Sequence, residues 1–204
     1  MRALIIVDMQ NDFMPWGSLP VFDGDSIIRT INSLMPHFEH VFATQDWHPK
    51  DHISFANNHG KEPGETIQVK GQDQALWPVH AVQDSSGAEL VGSLHREKIE
   101  RVFYKGTDSE MDSYSTFFDN AKQKSTGLSD YLQDQGIDEL YFTGVATEYC
   151  VLYSVIDALE IGYKTYVIKD AVKGIDSEGE KHAFHQMKKK GVTILTSEEL
   201  ITIS

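Results

Sequence analysis

Short apolar runs of strand length alternate with amphipathic, helix-length segments along most of the chain. No other feature constrains the fold as strongly. Ala3 to Asp8, Val41 to Thr44, Arg101 to Tyr104, Glu139 to Thr143, Tyr163 to Ile168 and Val192 to Leu195 read as strands. Between them, Asp25 to Phe38 carries Ile27, Ile28, Ile31, Leu34 and Phe38 at helical spacing. Leu128 to Gln135 reads as a short helix stopped by Gly136, Thr147 to Glu160 as an apolar helix ended by Gly162, and Ser177 to Lys190 as a charged helix followed by Gly191. Strands separated by helices predict an α/β fold, a parallel sheet with helices on both faces. The 204 residues suit one such domain over residues 1–204. In these sheets ligands bind beyond the carboxyl ends of the strands. Chemistry is therefore expected just after Val7, Thr44 and Thr143, and in the long polar stretch from Asp46 to Ser86.

Charge narrows the partners. With 31 acidic against 18 basic residues, the formal net charge is −13, a field that repels nucleic acid and anionic membrane surfaces. No apolar run is long enough for a transmembrane helix. The first apolar run is too short for a signal-peptide core and ends in a carboxylate, so a cytoplasmic location is expected. Cys150 is the single cysteine; it forms no intrachain disulfide and is either a small buried hydrophobe or a reactive thiol.

Several residues carry chemistry at these positions. Asp8 ends the first strand, where partial burial would raise its pKa and suit it to general-base work; capping the next turn is the alternative. Asp46 and His48 follow the second strand two residues apart, so their side chains share one face of an extended segment. A carboxylate and an imidazole there suit zinc, iron or manganese. His80 is the third candidate ligand, and His52 is held in reserve. Cys150 lies early in the apolar helix after the fourth strand, where the helix dipole stabilises a thiolate and free N–H groups can bind an oxyanion. Lys105 follows the third strand and either lowers a thiol pKa or sits solvated. Phe13, Trp77 and Tyr149 form either an aromatic slot for a flat ring or plain core.

Six stretches taken together resemble the nicotinamidase/pyrazinamidase family of the isochorismatase-like hydrolase fold. They are Ile6-Val7-Asp8-Met9-Gln10-Asn11-Asp12-Phe13, Asp46-Trp47-His48-Pro49, Trp77-Pro78-Val79-His80, Lys105-Gly106-Thr107-Asp108, Ser115-Thr116-Phe117-Phe118-Asp119-Asn120 and Gly144-Val145-Ala146-Thr147-Glu148-Tyr149-Cys150, in family order. The resemblance implies a three-layer fold and a metal-containing cysteine amidase that converts nicotinamide to nicotinic acid in NAD salvage. It implies a triad of Asp8, Lys105 and Cys150, and an oxyanion hole from the N–H groups of Ala146 and Cys150. It also implies a cis peptide at Val145–Ala146. One divalent metal on Asp46, His48 and His80 is implied, zinc first, with iron and manganese as alternatives. Phe13, Trp77 and Tyr149 become the ring slot, and a homo-oligomer stays open. Ala81 stands where the family often has Cys, which leaves Cys150 as the only thiol. Gln83-Asp84-Ser85-Ser86-Gly87 departs from the usual pattern. The rivals are a metal-free amidase of the same fold, an isochorismatase, which needs no thiol, and an inactive binding protein. The Asp-x-His…His set, Cys150 and the intact triad respectively speak against them.

Overall fold

The computed structural model describes residues 1–203. Six parallel strands form the main sheet: β1 (Arg2–Val7), β2 (His40–Asp46), β5 (Arg101–Lys105), β6 (Glu139–Val145), β7 (Lys164–Lys173) and β8 (Thr193–Leu195). Their order is β5-β2-β1-β6-β7-β8, so β1 and β6 lie innermost. The helices are α1 (Ile28–Leu34), α2 (Leu128–Asp134), α3 (Leu152–Ile161), α4 (Ser177–Lys190) and α5 (Ser197–Ile203).

Strand geometry sends alternate side chains of β1 to opposite faces, and each face has its own core. Leu4 and Ile6 pack with Ile31 and Leu34 of α1 and Leu200 of α5. Ala3, Ile5 and Val7 pack with Leu132 of α2, Val155 and Ala158 of α3, and Met187 of α4. A sheet covered on both sides explains why these strands read as continuous apolar runs rather than alternating ones. Among the described residues no helix is long and apolar enough to cross a membrane.

Three expectations change in detail. The segment 25–38 is not one helix: 3₁₀ turns at Gly24–Ile27 and Met35–His37 flank the seven-residue α1. Pro36 lacks the N–H that would continue the α-helical ladder, and a 3₁₀ turn follows α1 there. The five apolar positions are nevertheless buried. The long 46–86 stretch contains a hairpin of β3 (Thr66–Val69) and β4 (Gln72–Ala75). Its two-residue turn, Lys70-Gly71, has both φ values positive, 49° and 82°, as right-twisted hairpins favour. Finally, β7 runs to Lys173, past the expected end at Ile168, after a register shift opposite Phe142 and Gly144 of β6.

Candidate active site

The carboxyl ends of β1, β2, β5 and β6 bring charged groups together below the surface. Asp8 leaves β1 in the left-handed region at φ 49°, a conformation Asp tolerates better than most residues. It is fully buried, and Thr44 Oγ1 donates to its Oδ1 at 2.7 Å. In the β2–β5 register Asp46 lies opposite Lys105. The buried Lys105 ammonium is 2.9 Å from Asp8 Oδ2, donates to Asp46 Oδ1 and to the Ser113 carbonyl at 3.0 Å, and lies 3.3 Å from Cys150 Sγ. Asp8, Asp46 and Cys150 have donor atoms within 4.8 Å of one another.

Cys150 is buried in a wide π-helical turn, Thr147–Val151, that precedes α3; such turns recur at functional positions. The Ala146 carbonyl accepts from the N–H groups of Tyr149 and Val151, the residues on either side of Cys150. The Val145–Ala146 peptide is cis.

Burial and ion pairing set the protonation states. Burial pushes the Asp8 carboxyl up from its usual range, against the pull of Lys105. Asp46 goes the other way: burial opposes its charge, but Lys105 and His48 hold it well below the carboxylate range. Burial would lower Lys105, yet Asp46 and Asp8 raise it further, so it stays charged. For Cys150 burial outweighs Lys105 and lifts the thiol well above its ordinary value. Burial thus works against the thiolate that a helix start and a lysine favour, and sets the raised Cys150 thiol beside a raised carboxyl.

The histidines are oriented by carbonyls. His48 Nδ1 donates to the Gly106 carbonyl at 2.8 Å and His80 Nδ1 to the Pro78 carbonyl at 2.7 Å. A carbonyl only accepts, so each Nδ1 carries a hydrogen, and in the neutral ring each Nε2 then has the lone pair, the tautomer a metal requires. Gly106 is needed at this approach, since a Cβ there would lie 2.3 Å from His48 Cε1. His48 Nε2 is 3.6 Å from Asp46 Oδ2. Burial lowers His80 to about 4, while Asp46 raises His48 despite burial. Donor atoms of Asp46, His48 and His80 lie within 4.8 Å of one another. One carboxylate and two imidazoles with free Nε2 atoms fit a divalent cation of the zinc, iron or manganese kind. His52 stacks on His48 at 3.9 Å; its Nδ1 meets Ser54 Oγ, and its buried Nε2 lies 4.0 Å from Asp112 Oδ1 without a hydrogen bond.

A cleft opens onto both groups, lined by Phe13, Trp77, His80, Tyr149, Cys150 and Ala146. Trp77 meets Tyr149 edge-on at 5.0 Å and donates its indole N–H to Tyr114 Oη at 3.2 Å. The structure thus brings all the sequence-derived candidates into one cluster. Sequence reasoning missed Asp112, Tyr114 and Ile175, which also line the cleft. It missed Gln10 too, whose side chain bridges the carbonyl and N–H of Asp46 and so holds β2's end against β1. Ile175 lies two residues beyond the end of β7, a strand end where the same rule places ligands, whereas Asp112 and Tyr114 lie well beyond Lys105 on the loop after β5.

The chain belongs to the isochorismatase family: the family's Isochorismatase domain model matches residues 2–199. Within it, the chain is 46% identical over 201 residues to the nicotinamidase of Escherichia coli K12, covering 96% of this chain and 94% of that protein. A solved nicotinamidase/pyrazinamidase from Acinetobacter baumanii superposes with a TM-score of 0.94 at 45% identity, covering 98% of this chain and 97% of that one. The zinc complex of a pyrazinamidase from Pyrococcus horikoshii gives 0.79 at 39% identity, over 96% and 98% of the two chains.

Proposed function

We propose that the protein hydrolyses nicotinamide to nicotinic acid and ammonia through a thioester on Cys150, and so serves NAD salvage. The observation that carries this reading is the buried row of Cys150 Sγ, Lys105 Nζ and Asp8 Oδ2, spaced at 3.3 and 2.9 Å, at the foot of an aromatic cleft. The likeness to nicotinamidases over nearly the full length supports the substrate. The same slot would admit pyrazinamide.

Asp8 takes the proton from the Cys150 thiol, and Lys105 offsets the negative charge left on sulfur. The sulfur then attacks the carboxamide carbon. The N–H groups of Ala146 and Cys150 hold the oxyanion that forms. As the C–N bond breaks, Asp8 returns its proton to the nitrogen, and ammonia leaves a thioester. Water gives a proton to Asp8 and attacks the thioester carbon. The C–S bond breaks, Asp8 reprotonates the thiol, and nicotinic acid departs. Phe13 and Trp77 hold the pyridine ring between them, with Tyr149 closing the slot.

Asp46, His48 and His80 would hold one divalent metal, a donor set that suits zinc, iron or manganese, with zinc first because the Pyrococcus horikoshii relative is solved in complex with zinc. When bound it would supply a Lewis-acid position for the ring nitrogen. His52, stacked on His48, is the alternative ligand. A lone reactive thiol suits a reducing compartment, so we place the protein in the cytoplasm.

Ammonia release with nicotinamide tests the activity, and mass spectrometry after acid quench tests the intermediate. The wild type should show a nicotinoyl adduct on the peptide containing Cys150, and Cys150→Ala should release no ammonia above background. Turnover by Cys150→Ala would overturn the thioester route.

A further inference from the structure

Behind the cleft, two half-buried carboxylates cross between the nucleophile's turn and the connection from β7 to α4. Glu148 stands two residues before Cys150 in the π turn. Its Oε1 accepts from the N–H groups of Ile175 at 2.7 Å and Asp176 at 3.2 Å. Glu180, in the first turn of α4, reaches the opposite way. Its Oε2 accepts from the Gly174 N–H at 2.6 Å and from Thr147 Oγ1 at 3.3 Å. Three consecutive N–H groups, 174 to 176, therefore end on two carboxylates, one from each element. Gly174 permits the approach: a Cβ there would lie 2.8 Å from Glu148 Oε2 and 2.9 Å from Glu180 Cβ. Neither carboxylate lines the cleft, but Ile175 does.

The geometry points to Glu148 as a positioning residue for the reaction: with Glu180 it clamps the turn bearing Cys150 to the β7–α4 connection, and so sets the gap between the thiol and the Ile175 wall of the ring slot. This rests on the functional reading only in taking that ring to be nicotinamide's. The physical reason is local. A half-buried N–H without an acceptor is costly, so deleting Glu148 obliges the Ile175 N–H to find another partner, while the exposed Asp176 N–H turns to water and Gly174 stays on Glu180. The wall then moves relative to a thiol that remains paired with Lys105 and Asp8. Ring binding should suffer more than proton transfer.

Glu148→Ala should raise KM for nicotinamide by about tenfold and change kcat by less than about threefold, within what a small displacement near reacting atoms costs. Amide hydrogen exchange at Ile175 and Asp176 should speed up in the same variant. Glu148→Gln keeps an accepting oxygen and should recover most of both. The clamp is overturned if KM and exchange stay at wild-type values, or if Gln is as damaging as Ala. An equal loss in kcat with a lowered Tm would also overturn it, since a purely structural role predicts that. Should Glu148→Ala fail to fold, Glu180→Ala decides in its place: faster exchange at Gly174 with a raised KM supports the clamp, and wild-type exchange and KM overturn it. A wild type that released no ammonia from nicotinamide would sink the functional reading alone, and the exchange measurements would still decide the clamp.

Discussion

The apolar stretches of β1, β2 and β6 and the charged groups gathered at the carboxyl ends of β1, β2 and β5 are buried alike. Leu4, Ile5, Phe42 and Phe142 are shielded from solvent, and so are Asp8, Asp46, Lys105 and His48 at the other end. The chemistry of burial is opposite in the two regions. Below, each apolar side chain removed from water stabilises the fold, by about 1.5–3 kcal/mol for a large one. Above, each charge removed from water costs free energy that only close pairing offsets. The lower sheet can therefore hold the upper groups in place, and the upper groups keep perturbed protonation states because water is excluded. Stability and reactivity are separated along the same strands.

Paired substitutions test that separation most severely. Cys150→Ser exchanges one atom at the top. It should lower kcat/KM by roughly 10⁴-fold or more, because Asp8 is poorly matched to deprotonating an alcohol, while Tm stays near the wild-type value. Phe142→Ala empties a fully buried site at the bottom and should cost about 3–5 kcal/mol in urea unfolding, with kcat/KM per folded molecule nearly unchanged. A large stability loss in the first variant, or a large activity loss in the folded second, would break the comparison.

The half of the upper region that we propose binds a metal has its own signature. Benzamide keeps the ring shape and carboxamide of nicotinamide but lacks the ring nitrogen. A site built on a specific polar contact rejects such an analogue by factors on the order of 10⁴. Benzamide should be that poor a substrate for the metal-loaded wild type. In His80→Ala, bound metal should fall and the two amides should converge at a low rate. Comparable wild-type rates would remove ring-nitrogen coordination as the source of specificity.

A smaller effect sharpens the contrast through pH. Burial holds the Asp8 carboxyl above its usual 3.8. The base form is lost as pH falls through that raised value, so the acid limb of kcat/KM should lie above the ordinary carboxylate range. Stability runs in the other direction. A carboxyl raised on folding contributes stability that is complete below its unfolded pKa and is lost as pH rises through the folded one. Thr44→Val removes the hydroxyl that donates to Asp8 Oδ1, a bond that favours the charged form, and should shift the acid limb upward by a fraction of a unit. A limb that does not move would belong to another group.

The parallel α/β architecture and most of the site are legible in the chain, because both are written locally. Two-sided burial makes β1 an unbroken apolar run, and the carboxylate or lysine at a strand end marks where a run stops. Asp8, Asp46 and Lys105 could be picked out for that reason, Cys150 through its place early in the helix after a strand, and His48 and His80 through their spacing and their place on a long loop. Other features depend on elements far apart in sequence. Gln10 matters because β1 and β2 are neighbours, and nothing near Gln10 in the chain reports this. Ile175 enters the cleft because β7 runs five residues beyond Ile168, where its first apolar run stops. Glu148 meets the 174–176 backbone only once α3 and α4 have packed on the same face. The thiol's protonation state belongs to this second kind. Helix position and a lysine favour the thiolate, but enclosure by the assembled sheet reverses the balance, and enclosure is a property of packing that no local pattern carries.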